Sequence, residues 1–256
     1  MTINDMAKDI LSPDQERRYA RQISLPSVDF DGQEKLQLAS VAIVGVGGLG
    51  CSAAQYLAAS GVGTLTLVDF DEVELSNLQR QVLHQTVDIG VNKAESAAQL
   101  LRLNNPEITI NAVPKKLDAK ALEALCLSHD VVVDCTDNLE IRQQLNKSCF
   151  THQTPLISAA AIRLEGMVTV FDYRDNSPCY HCFSQLFGEQ QLSCLDAGVL
   201  APSVGIIGAI QACEAIKVII GIGDSLVGRL LIGDFSTMSF REMKLSQSNS
   251  CSVCNT

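Results

Sequence analysis

The sequence predicts an α/β protein, a doubly wound and mainly parallel sheet with a C-terminal mixed or antiparallel extension. Three observations carry that expectation. Short strands rich in Val, Ile and Leu alternate with helical segments through residues 13–160, the order in which crossover connections build a parallel sheet. A glycine-rich turn, Gly45-Val-Gly-Gly-Leu-Gly50, separates one such strand from the helix that follows. Aromatic residues make up only 5% of 256 residues, with no Trp, against 46% hydrophobic. The core must therefore be built from aliphatic side chains, which suits strands buried on both faces.

The elements follow in order. Residues 13–38 are polar with helical spacing, broken near Pro26, and they bring Arg18 and Arg21 close together. Val41–Gly45 reads as an apolar strand, Leu49–Ser60 as a helix, and Thr64–Asp69 as a second strand ending in an acid. Lys93–Asn104 has helical periodicity and Ile108–Val113 alternates as a strand does. Asp130–Cys135 is a buried strand, followed by a helix to about Cys149 and a strand over Pro155–Ala161. Beyond these, Met167–Tyr173, Arg229–Asp234 and Thr237–Leu245 read as strands that flank a long helix beginning near Pro202. No repeat, low-complexity run or linker interrupts the chain, so residues 1–256 are expected to form one domain.

A net charge of −10 and a pI near 4.8 oppose non-specific binding to nucleic acid or to an anionic membrane. The N-terminal residues show neither a cationic nor an apolar signal region. The apolar stretch Val199–Ile222 carries Gln211, Glu214 and Lys217 at helical spacing, which favours a buried helix over a membrane span. A cytoplasmic protein is expected, with no nucleic-acid or membrane partner.

The glycine loop lies between a strand and a helix, where Gly45, Gly47, Gly48 and Gly50 allow a tight turn and close backbone approach to phosphate. Asp69 ends the next strand, where a carboxylate can bind ribose hydroxyls. Together these make the sheet Rossmann-like and residues 13–160 a nucleotide-binding half. An NAD-dependent oxidoreductase is the first alternative. Against it stand the polar segment from Asp71 through Ser76, Asn77, Leu78 and Gln79 to Arg80, then Lys93, and then the acid and amide Asp137-Asn138 after a buried strand. A triphosphate that reacts at its α-phosphorus needs cations on the departing pyrophosphate and a carboxylate to hold Mg²⁺. Hydride transfer needs neither.

Ten cysteines without a secretory signal argue for metal ligation or buried thiols. Cys179 with Cys182, and Cys251 with Cys254, form two CxxC pairs that meet the ligand count of a tetrahedral Zn²⁺ site. A redox dithiol is the rival, but it is expected at a helix start near a βαβ unit, a context that neither pair shows in sequence. Cys51, Cys126, Cys135, Cys149 and Cys213 sit in apolar segments and read as core fillers. The four histidines have no metal-ligand spacing and receive no role.

At these motifs the chain resembles the ubiquitin-activating superfamily, in its bacterial sulfur-carrier (MoeB/ThiF/HesA) branch. The likeness rests on Arg18-Tyr-Ala-Arg21-Gln, the glycine loop, Asp69-Phe-Asp71, Ser76-Asn-Leu-Gln-Arg80-Gln, Lys93, Asp134-Cys-Thr-Asp137-Asn and the paired CxxC motifs. It runs from about residue 13 to Cys254. Asp29–Glu34, Ala160–Gly166, Leu186–Glu189 and Phe240–Leu245 point to the molybdenum-cofactor side of that branch, with the thiamine side as the alternative.

The resemblance implies ATP at the glycine loop, with Asp69 on the ribose and Asn77, Arg80 and Lys93 on the phosphates. It implies Mg²⁺ at Asp137, and an Arg21 that reaches the ATP site of the other subunit of a homodimer. It implies as substrate the C-terminal Gly-Gly carboxylate of a small ubiquitin-fold sulfur-carrier protein, converted to an acyl-adenylate with release of pyrophosphate. Residues 161–256 would then form a zinc-binding and carrier-binding half, the Zn²⁺ clipping the C-terminal tail onto the 179–182 loop. Cys194 stands where parts of the superfamily carry a covalent thioester or persulfide. In the molybdenum branch no such step is needed, and an idle thiol is expected there.

Overall fold

The computed structural model describes residues 10–174, 177–186 and 198–255. Eight strands form one sheet: β1 (Ser40–Val44), β2 (Thr64–Val68), β3 (Thr109–Val113), β4 (Val131–Asp134), β5 (Leu156–Ile162), β6 (Glu165–Phe171), β7 (Arg229–Asp234) and β8 (Ser239–Lys244). Their order across the sheet is β3-β2-β1-β4-β5-β6-β7-β8. The pairs from β3 to β5 are parallel and those from β5 to β8 are antiparallel. This is the mixed α/β architecture that the sequence predicts. Chain order reverses between β1 and β4, and ligands of such sheets bind in the crevice at the strands' C-terminal ends there.

The aliphatic strands divide their side chains between two cores. Val41 and Ile43 of β1 and Val131 and Val133 of β4 face one core, while Ala42, Val44 and Val132 face the other. The first core is covered by α3 (Gly48–Ala59), α4 (Lys93–Asn104) and the long α8 (Ala201–Ile220). The second is covered by α5 (Ala119–Leu127), α6 (Leu139–His152) and the short α7 (Tyr180–Ser184). The near-continuous apolar runs read from the sequence are the result of this two-sided burial. Before β1 stand α1 (Pro13–Ile23) and α2 (Asp29–Leu38). A capping box starts α1, with the Ser12 N–H donating to Gln15 Oε1 at 2.8 Å and the Gln15 N–H to Ser12 Oγ at 3.2 Å.

Among the described residues α8 is the one helix long and apolar enough to cross a membrane. Its polar residues are instead tied into the sheet. Gln211 Nε2 donates to the carbonyls of Asp134 (2.8 Å) and Ile157 (3.3 Å), and Glu214 Oε2 accepts the Leu226 N–H at 2.8 Å.

Two details depart from the sequence reading. Cys213 is exposed, not a core filler, because it falls on the outer arc of α8 between the inward-facing Gln211, Ala212, Glu214 and Ala215. Helix α5, capped by Asp118 accepting the Ala121 N–H at 2.8 Å, carries only three buried residues and gave no strong periodic signal. The outermost strand, β8, is exposed at every position.

Helices α3 and α8 cross closely at Gly208, where a Cβ would lie 2.4 Å from the Leu49 carbonyl oxygen. Gly208→Val should therefore force the helices apart and cost about 1–3 kcal/mol. Thermal unfolding should show a fall of roughly 2–4 °C per kcal/mol; an unchanged melting temperature would mean that the crossing is loose.

Candidate active site

The crevice forms where β1 and β4 end side by side. Gly45 leaves β1 with φ +91°, and a Cβ there would lie 2.8 Å from the Cys135 carbonyl oxygen. A Cβ on Gly50 would lie 2.0 Å from the Gly45 carbonyl oxygen. No residue with a side chain fits either position. Gly47 is the N-cap of α3 and offers no side-chain cap, so the first N–H groups of α3 stay open to a phosphate. At Gly48 a Cβ would strike Val204 of α8 at 2.7 Å and approach Arg80 Cγ at 3.5 Å, so Arg80 begins directly beside the loop.

Asp69 is buried at the end of β2. Its Oδ2 accepts the Val46 N–H at 2.7 Å and its Oδ1 accepts the Asp71 N–H at 2.9 Å. Burial pushes its carboxyl above the ordinary carboxylate range, and the two N–H bonds oppose that rise. Asn92 then fixes the next segment. Its Nδ2 donates to the carbonyls of Asp69 (3.0 Å) and Asp71 (3.1 Å), while its Oδ1 caps α4 by accepting the Ala94 N–H at 2.9 Å. Lys93, the first residue of α4, is buried and sets its Nζ 3.0 Å from Asp71 Oδ2. Residues Leu75–Asn77 form a 3₁₀ turn in which the buried Asn77 accepts the Glu74 N–H through Oδ1 at 3.2 Å. Arg80 is half-buried and donates from Nη1 to the Ser76 carbonyl at 3.2 Å. Ser76 and Gln79 are exposed, and Leu78 is half-buried.

Across the crevice, Gly45 meets the backbone of Cys135 and Thr136, which brings the start of α6 to the glycine loop. Asn138 caps α6 by accepting the Ile141 N–H at 3.1 Å. Asp137 is exposed and lines, with Asn138, Glu140, Gln143 and Lys147, an open cavity of about 650 Å³. The structure thus joins the glycine loop to Asp69, Asp71, Lys93 and Arg80, and sets Asp137 one residue beyond the Thr136 backbone that Gly45 meets. It does not bring Arg21 there. Helix α1 packs at the opposite end of the sheet, where Tyr19 lies against Gly61 and its hydroxyl accepts from Asn105 Nδ2 at 2.9 Å. Arg21 is exposed on that helix.

The four CxxC thiols converge from distant parts of the chain. All four Sγ atoms lie within 4.8 Å of one another, with Cys179–Cys251 at 3.6 Å, Cys182–Cys254 at 3.4 Å and Cys179–Cys182 at 3.9 Å. A tetrahedral ion with metal–sulfur bonds of about 2.3 Å would set sulfurs roughly 3.8 Å apart, so the donor set fits such an ion. N–H groups point at the sulfurs: Asn146 Nδ2 at Cys179 (3.6 Å), the Ser248 N–H at Cys182 (3.3 Å) and the Cys254 N–H at Cys251 (3.5 Å). Burial pushes the Cys251 thiol up, but the backbone N–H groups of Cys254 and Val253 outweigh it and bring it down to about 7. One part of the sequence reading is corrected here. Cys179 does stand at a helix start, as the N-cap of α7, but α7 has five residues and no βαβ unit. Cys194 lies outside the described residues.

Two functional candidates escaped the sequence reading. His84 is buried behind the glycine loop, with Nδ1 2.9 Å from Ser96 Oγ and Nε2 3.3 Å from the Val46 carbonyl oxygen. With its proton on Nε2, it donates to the carbonyl of the same residue whose N–H is taken by Asp69. Arg142, buried in α6, donates from Nε to the Thr136 carbonyl at 3.1 Å and from Nη2 to the Ala159 carbonyl at 2.9 Å. Neither residue has a spacing signal, since every partner comes from another element.

Comparison with known proteins follows from this geometry. A profile of the ThiF family matches residues 19–253. The chain is 54% identical over 244 residues to the molybdopterin-synthase adenylyltransferase of Escherichia coli K12, covering 95% of this chain and 98% of that one. It is 57% identical over 235 residues to the protein of the same name from Haemophilus influenzae, covering 92% and 97%. A crystal structure of E. coli MccB with ATP has the same fold, with a TM-score of 0.81 at 24% identity over 96% of this chain and 76% of that chain.

Burial pulls the His84 imidazole below its ordinary value. The unfolded chain therefore binds more protons than the native one, and stability present above about pH 6.5 is lost as pH falls towards and through the native value. Thermal melts of wild type and His84→Gln from about pH 8 to about pH 5.5 should show a smaller acid-side loss in the variant. Parallel slopes would place the titration elsewhere.

Proposed function

The chain belongs to the ThiF family, and from that premise we propose that it is an ATP-dependent adenylyltransferase of molybdenum cofactor biosynthesis. Its substrate is the C-terminal Gly-Gly carboxylate of a small ubiquitin-fold sulfur carrier, the small subunit of molybdopterin synthase, which it converts to an acyl-adenylate with release of pyrophosphate. The open N-terminus of α3 in the glycine loop, with Lys93 held by Asp71 on the segment that Asp69 ties to that loop, carries this reading.

The chemistry asks for charge and position. A C-terminal carboxyl has a pKa of about 3.3–3.7, so the attacking carboxylate is ionised without a general base. The uncapped N–H groups at Gly47–Gly50 receive phosphate, and Asp69 offers its carboxylate towards the ribose while it holds the loop. Lys93, kept in place by Asp71, and Arg80 supply the positive charge that an α-phosphorus under attack and a departing pyrophosphate require. Asn77 addresses the same phosphates. Asp137 is an exposed carboxylate with no protein hydrogen bond among the described residues, which suits Mg²⁺ shared between one acid and a nucleotide's phosphates. When bound, Mg²⁺ would supply charge neutralisation on those phosphates. Arg21 serves the crevice of a second copy in a homodimer, consistent with its place away from the crevice of its own chain.

Cys179, Cys182, Cys251 and Cys254 hold Zn²⁺. The ion joins the C-terminal tail to α7, remote from the reacting atoms.

Lys93→Ala and Asp137→Ala should each lower carrier-dependent ATP–pyrophosphate exchange by about 10²-fold or more while the fold survives in circular dichroism. Near-normal exchange would remove that residue from the mechanism. Assayed side by side, the molybdopterin-synthase small subunit should outperform the thiamine sulfur carrier; the reverse preference would move the enzyme to the thiamine pathway. A strong chelator should lower the melting temperature, since a ligand bound only by the native state stabilises it. A zinc-free preparation that melts unchanged would rule out the structural ion.

A further inference from the structure

Helix α6 begins just beyond the exposed Asp137 and runs to the cysteine cluster, and its inward face bonds to the Thr136 carbonyl and to Cys179. Asn146, fully buried, accepts the Tyr180 N–H at 2.8 Å and the Tyr173 hydroxyl at 3.3 Å through Oδ1. Its Nδ2 donates to Cys179 Sγ. Gln143 Nε2 donates to Ser184 Oγ at 2.9 Å, so α7 is fastened to α6 at a second point.

One turn nearer the crevice lies Arg142. Its Nε and Nη2 both donate to the Thr136 carbonyl, and Nη2 also donates to the Ala159 carbonyl. The guanidinium faces the buried Asp134, with Nε 3.6 Å from Oδ2. Asp134 in turn accepts the Thr136 N–H (3.0 Å) and hydroxyl (2.7 Å), and the Ser158 hydroxyl (2.8 Å).

Thr136 precedes Asp137. Its N–H and hydroxyl are held by Asp134 and its carbonyl by Arg142, so every polar atom of Thr136 is fixed from below. Tyr180, the neighbour of the thiol Cys179, supplies the N–H that Asn146 binds. The cysteine cluster and the segment that leads into Asp137 are therefore joined through Asn146 and Arg142, two side chains of one helix.

Resting on the adenylation reading above, we propose that Arg142 is a positioning residue. It holds the Thr136 carbonyl, and so the peptide that enters Asp137, beside the glycine loop, and Asn146 on the same helix couples that hold to the four-thiol site. The metal site is then a remote buttress of the nucleotide crevice as well as a clip for the tail.

The test uses Asn146→Leu and Arg142→Lys in the full-length protein. Each should raise the Mg²⁺ concentration needed for half-maximal pyrophosphate exchange by roughly tenfold or more, the scale of losses when a supporting partner of a metal ligand is removed. Amide hydrogen exchange should accelerate at Thr136–Asn138 and stay as in wild type at Gly47–Gly50. Treating wild type with a chelator should reproduce that local acceleration. Should either variant not fold, the other and the chelated wild type decide. Unchanged exchange at Thr136–Asn138 in both would overturn the coupling, and faster exchange with unaltered Mg²⁺ dependence would overturn the positioning role. A wild-type protein inactive with every carrier would sink the functional reading instead, and the hydrogen-exchange arm would still decide whether cluster and loop are joined.

Discussion

The architecture depends on one close backbone contact, the approach of Gly45 to the peptide between Cys135 and Thr136. Strands β1 and β4 are sequence-distant neighbours whose chain connections leave in opposite directions. Only when their ends touch without intervening side chains do the start of α3 and the start of α6 open onto the same space. The 2.0 Å clearance at Gly50 tightens the turn further, so that the helix axis points at the crevice. The glycine loop after one strand and the segment that leads to Asp137 after its neighbour are thus brought side by side through sterics alone.

Beneath that contact the protein buries a polar layer. Asp134 is fully buried with Arg142, Thr136 and Ser158 around it, and Gln211 of α8 takes the Asp134 carbonyl from the other face of the sheet. Breaking a buried charge pair by removing one partner costs about 3–5 kcal/mol, so this layer is expensive to disturb. What it provides is definition. The loops at the strand ends are anchored by groups whose own hydrogen bonds are complete. Val46 is treated in the same way, with Asp69 on its N–H and His84 on its carbonyl.

Much of this was legible in the sequence, and for local reasons. The glycine loop, Asp69, Lys93 and the acid after β4 sit at ends of elements whose periodicity is strong, so their side of the sheet follows from strand direction. The CxxC spacing advertised four thiols, although their convergence across 72 residues, from Cys179 to Cys251, is a tertiary fact. Arg142 carries no local signal because its partners come from β4, β5 and the segment between β4 and α6. His84 lies in an irregular segment with no period to assign it a face. Cys213 misled because it falls within the long apolar stretch Val199–Ile222, and only the rotation of α8 turns it outward. The position of Arg21, at the far end of the sheet, required the packing of α1 against Gly61 and Asn105.

Among the described residues the sheet ends in β8, a strand with one side unpaired and every residue exposed. Open edges recruit other strands and seed aggregation unless something discourages them. Here Arg241, Glu242 and Lys244 occupy three of six positions, so an intruding chain would have to dehydrate charges on both faces of the new ladder. Charge on the last strand of a mixed sheet thus keeps foreign strands off on electrostatic grounds.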